Sequence, residues 1–354
     1  MTGAARRDER VLVIRGSAGR VATKRAPSPA AEAFAGMALS VALITGVRLG
    51  VFTRLAEGPA EAQELASGLG LDTRSTALLA DSLHALGYLT RPADAYALSG
   101  VARRWLDPGA SRPVAACVAG NVEHWDWWAA LPEIIRTGTG LDVHSGRAET
   151  DTFWQDYIGG QYDLARLSAP AVSRAIRLPA GARRLLDVGG GHGWFAAELC
   201  RRHDGLQATV LDLPGSAEVG RRIIAETGMD HLVRHRSGDA RSTSLEADHY
   251  DAALCFNLIH PLPPDDIRAL LSNVNRSLRP GGRIAVLNLF ARPRRRRPDQ
   301  FSACLSLFFH MTSATIYTVG QLDEWLREAG FRQSRRMTLR RVPGQTLVVA
   351  TKRA

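Results

Sequence analysis

The residues best placed to do chemistry begin with a run of glycines after an apolar segment, Leu186-Asp187-Val188-Gly189-Gly190-Gly191-His192-Gly193-Trp194. Glycines let a backbone turn sharply and approach a ligand closely, and a helix starting after the turn presents free N–H groups to it. No Gly-Lys-Ser/Thr follows, which excludes a triphosphate P-loop. The spacing is GxGxG rather than GxGxxG, which argues against a dinucleotide pyrophosphate. Asp212 ends the next apolar segment, about 20 residues on, where a carboxylate accepts both hydroxyls of a ribose. Its alternative use is as a helix N-cap before Pro214. Gly238-Asp239-Ala240 follows a third segment. Asp239 there could accept from an adenine amine or simply close a turn. These pieces together describe a nucleoside site rather than a phosphate site.

The elements that must carry them alternate strand and helix from residue 183 onward. Strands are expected over 184–188, 207–211, 232–236, 252–256 and 283–289, and helices over 194–202, 216–227 and 264–278. Two final strands, 332–339 and 346–351, flank Pro343-Gly344. Such alternation implies a Rossmann-like, doubly wound, mostly parallel sheet of seven strands with an antiparallel last strand, which binds ligands at its carboxyl edge. Upstream, residues 30–56 have apolar residues at helical spacing. Two short helices joined by Gly70-Leu71-Asp72, with Asp72 or Thr73 as N-cap, precede a hairpin around Pro92-Ala93-Asp94. Helix, helix, hairpin is a winged-helix pattern. The helix after Asp72 is mostly apolar, with only Arg74 basic, so it is built for burial rather than for reading base edges. Residues 111–180 read as helical and Trp-rich, with boundaries at Pro170 and Pro179-Ala180-Gly181. The domains are therefore a mobile basic arm (1–28), a winged-helix-like domain (29–110), a helical linker and pocket wall (111–180), and a ligand-binding domain (181–354).

The motifs DVGGGHG, VLDLP, GDA, the strand ending in NLIH, and LRPGGRIAVLNL resemble the class I S-adenosylmethionine-dependent methyltransferases. From about residue 30 to the end, the chain is similar to the dimeric small-molecule O-methyltransferases of plant phenylpropanoid and bacterial polyketide pathways. That resemblance implies S-adenosyl-L-methionine as cofactor and a homodimer made by the N-terminal domain. Gly189 and Gly191 would line its methionine side. Asp212, with Leu213 beside it, would hold the ribose. Asp239 and Ala240 would surround the adenine, and Phe256 and Asn257 the methionyl end. His260 would be the general base, since a neutral imidazole can take a proton from a phenol with pKa near 10. The sequence departs from the family around it. Pro261-Leu262-Pro263 replaces Asp-Trp, Asn288 stands where the plant enzymes carry an orienting carboxylate, and residues 312–315 lack the second one. An unassisted histidine has a less fixed tautomer and orientation.

By the same resemblance a helix over 299–311, with Phe301, Leu305, Phe308, Phe309 and Met311, would cap an acceptor pocket, and His310 is its polar tip. Trp125, Trp128, Phe153, Trp154 and Tyr157 would close the other wall, where aromatic faces suit an aromatic acceptor. Trp128, Tyr157, Phe309 and His310 are the candidate substrate contacts. Each has an ordinary alternative as core or dimer packing.

The 354 residues carry 45 Lys+Arg against 35 Asp+Glu, a net charge of +10. The basic residues are almost all Arg, and much of their excess lies in separate segments: the N-terminal arm, Arg294 to Arg297, and Arg335, Arg336, Arg340 and Arg341. Without an interleaved aromatic motif they do not make a nucleic-acid surface. Cys117, Cys200, Cys255 and Cys304 are far apart, which argues against zinc and disulfides and fits a reducing cytoplasm. His231 and His235 are spaced like a metal pair but flank a strand with no third ligand, so they read as surface residues; no metal is expected. Asp265-Asp266 read as helix N-terminal charges. Residues 33–47 are uncharged but shorter than the roughly 20 residues of a bilayer span, so they read as a buried helix. The leading function is methyl transfer to a hydroxyl of an aromatic or polycyclic small molecule in natural-product biosynthesis. The alternatives are a non-methylating hydroxylase, decarboxylase or pericyclase on the same scaffold, and a ligand-sensing DNA-binding protein.

Overall fold

The computed structural model describes residues 28–144, 146–291, 300–338 and 345–353, except for the side chains of Glu32, Gln300 and Phe301. The basic arm, Arg294 to Arg297, Asp299, the Phe301 ring, Pro343-Gly344, Arg340 and Arg341 lie outside the described residues. The chain forms two compact units, the first ending at Val122 and the second running from Glu123 to Ala354.

The first unit holds helices α1 (Pro29–Arg48), α2 (Val51–Ala56), α3 (Ala62–Leu69) and α4 (Thr73–Ala85), strands β1 (Leu89–Thr90) and β2 (Ala97–Leu98), and helices α5 (Gly100–Trp105) and α6 (Ala115–Gly120). Asp72 caps α4 by accepting from the Ser75 N–H at 2.8 Å. The hairpin β1–β2 is antiparallel, and Ala60 bridges Tyr96 beside it, completing the wing. Phe52, Leu65, Leu83, Leu89 and Tyr96 make the core. The uncharged stretch departs from the expected buried helix. It sits in the 20-residue α1, which by length and composition alone could cross a membrane. Within its unit α1 leaves Phe34 75% and Met37 62% exposed. On α4, Thr76, Ala80 and Leu83 are buried, but Leu78 is 62% exposed.

The second unit begins with α7 (His124–Ala129), α8 (Leu131–Thr137) and the long α9 (Thr152–Ala175). Pro170, expected to mark a boundary, lies inside α9. Its ring forfeits one backbone bond, and the buried Ala169 and Val172 beside it hold the helix against the sheet layer. The expected alternation follows: β3 (Arg184–Val188), α10 (Trp194–Cys200), β4 (Gln207–Asp212), α11 (Pro214–Glu226), β5 (Val233–Ser237), β6 (Tyr250–Phe256), α12 (Pro264–Ser277) and β7 (Leu278–Leu289). It ends with α13 (Gln300–Met311), α14 (Val319–Glu328), β8 (Phe331–Thr338) and β9 (Gln345–Lys352). The seven strands are ordered β5-β4-β3-β6-β7-β9-β8, parallel except for β9, which runs antiparallel to both neighbours. One face is covered by α9, α10 and α11, the other by α12 and α14. The strand order reverses between β3 and β6. The carboxyl ends of β3, β4 and β6 therefore open onto one crevice, where such sheets bind ligands.

Candidate active site

The glycine turn leaves β3 at Val188 and is tied to β4 by the Gly189 N–H, which donates to the Leu211 carbonyl at 2.8 Å. A Cβ on Gly190 would fall 2.5 Å from the Asp187 carboxyl carbon, so the Asp187 side chain lies directly against the turn. Asp187 is buried and neither carboxyl oxygen has a hydrogen-bond partner. Burial, and then the nearby Asp212, push its pKa up to about 8. Asp212 accepts twice at 2.7 Å, Oδ2 from the Gly191 N–H and Oδ1 from the Leu213 N–H. Burial raises its pKa, and these two donors oppose the rise. A carboxylate has about four lone-pair sites, so Asp212 keeps acceptor capacity for a diol. The Gly238 N–H donates to the Asp212 carbonyl at 2.8 Å and brings the third loop alongside.

In that loop the Asp239 carboxylate is engaged by Arg241, whose Nη2 lies 2.7 Å from Oδ2, and this pairing holds Asp239 below the usual carboxylate range. An adenine amine would have to share or displace Arg241. Ala240 packs against the core. Phe256, at the end of β6, is buried edge-on to Phe195 with centroids 5.0 Å apart. Asn257 takes a left-handed φ of 51°, and its Oδ1 accepts from Gln345 Nε2 at 2.8 Å.

His260 follows β6 after a short turn. Its Nδ1 lies 3.1 Å from Asn288 Oδ1 on β7. Asn288 is itself buried, and its Nδ2 donates to the Leu289 carbonyl at 3.2 Å. With the amide nitrogen so used, Oδ1 is an acceptor, which places the imidazole proton on Nδ1 and leaves Nε2 bare. Burial drives the His260 pKa down to about 4, against a small upward pull from Asn288. The Thr315 N–H donates to the His260 carbonyl at 2.7 Å, and the Tyr317 hydroxyl donates to the Leu262 carbonyl at 2.7 Å. The Phe309 ring stands edge-on to the imidazole at 4.8 Å. The expectation of a loosely oriented histidine is thus corrected. A neutral amide and two backbone clamps replace the missing carboxylates.

An aromatic layer lies beside it. The loop after α8 is strapped to the end of α13 by the Leu141 N–H, which donates to the Met311 carbonyl at 2.7 Å. A Cβ on Gly140 would meet the Ser313 nitrogen at 2.5 Å, so only glycine passes there. This strap delivers His144 to Tyr157 (5.0 Å between centroids) and Phe153 (6.0 Å). His124 packs on Trp127 and Phe308, and Trp128 on Phe308. Burial lowers the pKa of both histidines, His124 to about 4, and His144 acts electrostatically on His260. Burial, and then Asp212, push the Tyr157 pKa up to about 12, and its ring stacks on Phe153 with centroids 5.1 Å apart. Trp154 is a structural residue here: its Nε1 donates to the Ala148 carbonyl, and its ring lies against Gly215 at the start of α11. His310, expected as the polar tip, is exposed. His124 and His144 are the imidazoles packed into the aromatic layer. Asp187, Asn288, His124 and His144 are the residues that reasoning from sequence did not single out or placed in another role.

Residues 131–332 match the O-methyltransferase domain family and residues 31–108 the O-methyltransferase dimerisation domain. The chain belongs to the O-methyltransferase family. The 3-hydroxy-5-methyl-1-naphthoate 3-O-methyltransferase of Streptomyces sahachiroi is 27% identical over 87% of this chain and 90% of that protein. The tetracenomycin polyketide synthesis 8-O-methyl transferase of Streptomyces glaucescens is 30% identical over 84% and 88%. The crystal structure of human N-acetylserotonin methyltransferase in complex with SAM shares the fold, with a TM-score of 0.76, 21% identity, and coverage of 90% of this chain and 95% of that one.

The cofactor of this O-methyltransferase is S-adenosylmethionine, and the residues present fit it. Asp212 offers free lone pairs to a ribose diol. Asp187 is a buried acid with no partner, the kind of group that a cationic ammonium compensates. Among the described residues no group of three or more His, Cys, Asp or Glu could hold a metal ion. Asp265 and Asp266 stand in the first turn of α12 as expected. His231 is exposed, but His235 departs from the surface reading and is tucked against the glycine turn.

Proposed function

We propose that this chain transfers the methyl group of S-adenosylmethionine to a hydroxyl of an aromatic or polycyclic small molecule, with His260 as general base. The observation that carries it is the state of His260: neutral, clamped, its Nδ1–H held by Asn288 and its Nε2 therefore unprotonated. The relatives named for hydroxynaphthoate and tetracenomycin methylation support a fused-ring acceptor. When bound, the cofactor supplies an electrophilic methyl group on a sulfonium sulfur. Gly189, Gly191, Asp212, Leu213, Asp239, Ala240, Phe256 and Asn257 hold it. Trp128, Tyr157 and Phe309 face the acceptor ring, with His310 at the rim. His260 Nε2 takes the hydroxyl proton as the oxygen attacks in line. Replacing His260 by Ala should leave cofactor affinity within twofold and lower kcat by about 10²- to 10⁴-fold, the usual span for a general base. A kcat within threefold of the parent would remove the base from the account.

The exposed apolar residues Phe34 and Met37 on α1, inside the dimerisation-domain match, support a homodimer made by the first unit. No disulfide joins any of the four cysteines, which suits a reducing cytoplasm.

A further inference from the structure

We infer that His235 is a positioning residue for cofactor binding, holding the Gly191 carbonyl and thereby fixing Gly191 in the glycine turn. The inference rests on the reading of Asp212 as the ribose carboxylate. Gly191 is held at both ends. Its N–H donates to Asp212 Oδ2 at 2.7 Å, and its carbonyl lies 2.9 Å from His235 Nε2. A carbonyl only accepts, so the imidazole proton is on Nε2. His235 Nδ1 is then a bare nitrogen, buried and without a partner. The ring's one polar function is this single bond.

The surroundings are shaped for that bond. Val233 and His235 share the inward face of β5, whereas Arg234 and Arg236 are exposed. The imidazole fills the gap between β5, the glycine turn and α11. A Cβ on Gly193 would come 3.1 Å from the ring. A Cβ on Gly220 of α11 would overlap both the Gly191 carbonyl oxygen and His235 Nε2. Glycine at 220 is therefore what lets the helix, the turn and the imidazole meet. Burial lowers the His235 pKa and Arg221 of α11 adds to that, while the bond to the Gly191 carbonyl pulls it upward.

The geometry makes a chain of three: His235 sets Gly191, and Gly191 sets Asp212. Without the Nε2–H the 191–192 peptide can turn about the Gly191 Cα, Gly191 is held only through its N–H, and that donor's aim at Asp212 loosens. His235 touches neither cofactor nor substrate in this scheme, so its effect is confined to cofactor affinity.

The test titrates S-adenosylhomocysteine into the parent and four variants by calorimetry, with circular dichroism and Tm as folding checks. His235→Phe keeps an aromatic ring, larger than the imidazole, without the donor. His235→Leu, close to histidine in volume, covers the case in which Phe is not accommodated. His235→Gln restores an N–H at similar reach. Asp212→Ala tests the underlying reading. Folded Phe and Leu variants should bind about tenfold more weakly, the size of one net hydrogen bond, and Gln should return affinity to within about threefold of the parent. Acceptor KM should not move. Affinity within twofold of the parent in Phe or Leu overturns the inference, as does a folded Gln variant no better than Leu. If Asp212→Ala binds as the parent does, the reading of Asp212 itself fails, and that result is distinguishable from the other two.

Discussion

Replacing Asn288 by Asp changes one atom type 3.1 Å from His260 Nδ1 and tests how the base is tuned. In the parent, burial takes the imidazole from 6.5 to about 4. That corresponds to about 3 kcal/mol against the imidazolium, at roughly 1.4 kcal/mol per pKa unit. Asn288 answers with only a neutral dipole. A carboxylate at that distance raises a partner's pKa by about 1 to 3 units, or about 1.4 to 4 kcal/mol, comparable with the burial cost. His260 in Asn288→Asp should therefore titrate at about 5 to 7. The change also turns the donor to the Leu289 carbonyl into an oxygen 3.2 Å away, so some stability is lost and Tm is read alongside. The assay is the imidazole carbon chemical shift of labelled His260 against pH, together with kcat against pH. Because a base works best with a pKa near the operating pH, the variant should gain rate at pH 7 and 8 on a simple phenol. Its acid limb should move upward by the same amount as the titration. An unmoved titration refutes the hydrogen bond. A moved titration with an unmoved limb refutes His260 as the base.

Three further outcomes follow from the same structure. Asp187 carries a pKa raised from 3.8 to about 8, so the folded cofactor-free protein binds the extra proton between those values and its stability should fall as pH rises through that window. Asp187→Asn should flatten that fall in a Tm series from pH 4 to 9, and an unchanged slope would show that the acid is not buried unpaired. Met37→Asp puts a charge on the exposed apolar face of α1 and should convert a dimer to monomer by light scattering; a dimer of unchanged affinity would place the interface elsewhere. Gly140→Ala should lower acceptor binding without changing cofactor affinity, because a Cβ there collides with the Ser313 nitrogen and lifts the strap carrying His144; equal acceptor KM would contradict it.

Much of the second unit was legible because its physics is local. Strand 184–188 coincides with β3, and the other strands of the alternation shift by one to five residues at their ends. The seven-stranded sheet with one antiparallel strand is as expected, as is the placement of Gly189, Asp212, Asp239 and His260 at neighbouring strand ends. The rest depends on contacts between distant segments. Asn288 reads as the loss of a carboxylate until β7 brings it beside His260. Asp187 looks like one more polar residue in a strand until the turn folds over it. His235 resembles half of an exposed pair because nothing local reveals the glycine at 220 opposite. His310 and His144 exchange prominence for a like reason: the family resemblance placed the helix of His310 over the pocket, but the strap from 138 to 144 carries the histidine that reaches the aromatic layer. Pro170 signals a break by propensity, yet the burial around it keeps α9 continuous.

The most direct test of the central claim is a transfer reaction with methyl-labelled S-adenosylmethionine and a panel of hydroxylated naphthoates and larger fused-ring phenols, run with the parent and His260→Ala. The account predicts label on a phenolic oxygen of at least one fused-ring acceptor, one S-adenosylhomocysteine formed per product, and a rate at least about 10²-fold lower in the variant. Tight cofactor binding with the acceptor altered but unlabelled would contradict it and favour a non-methylating reaction on the same scaffold.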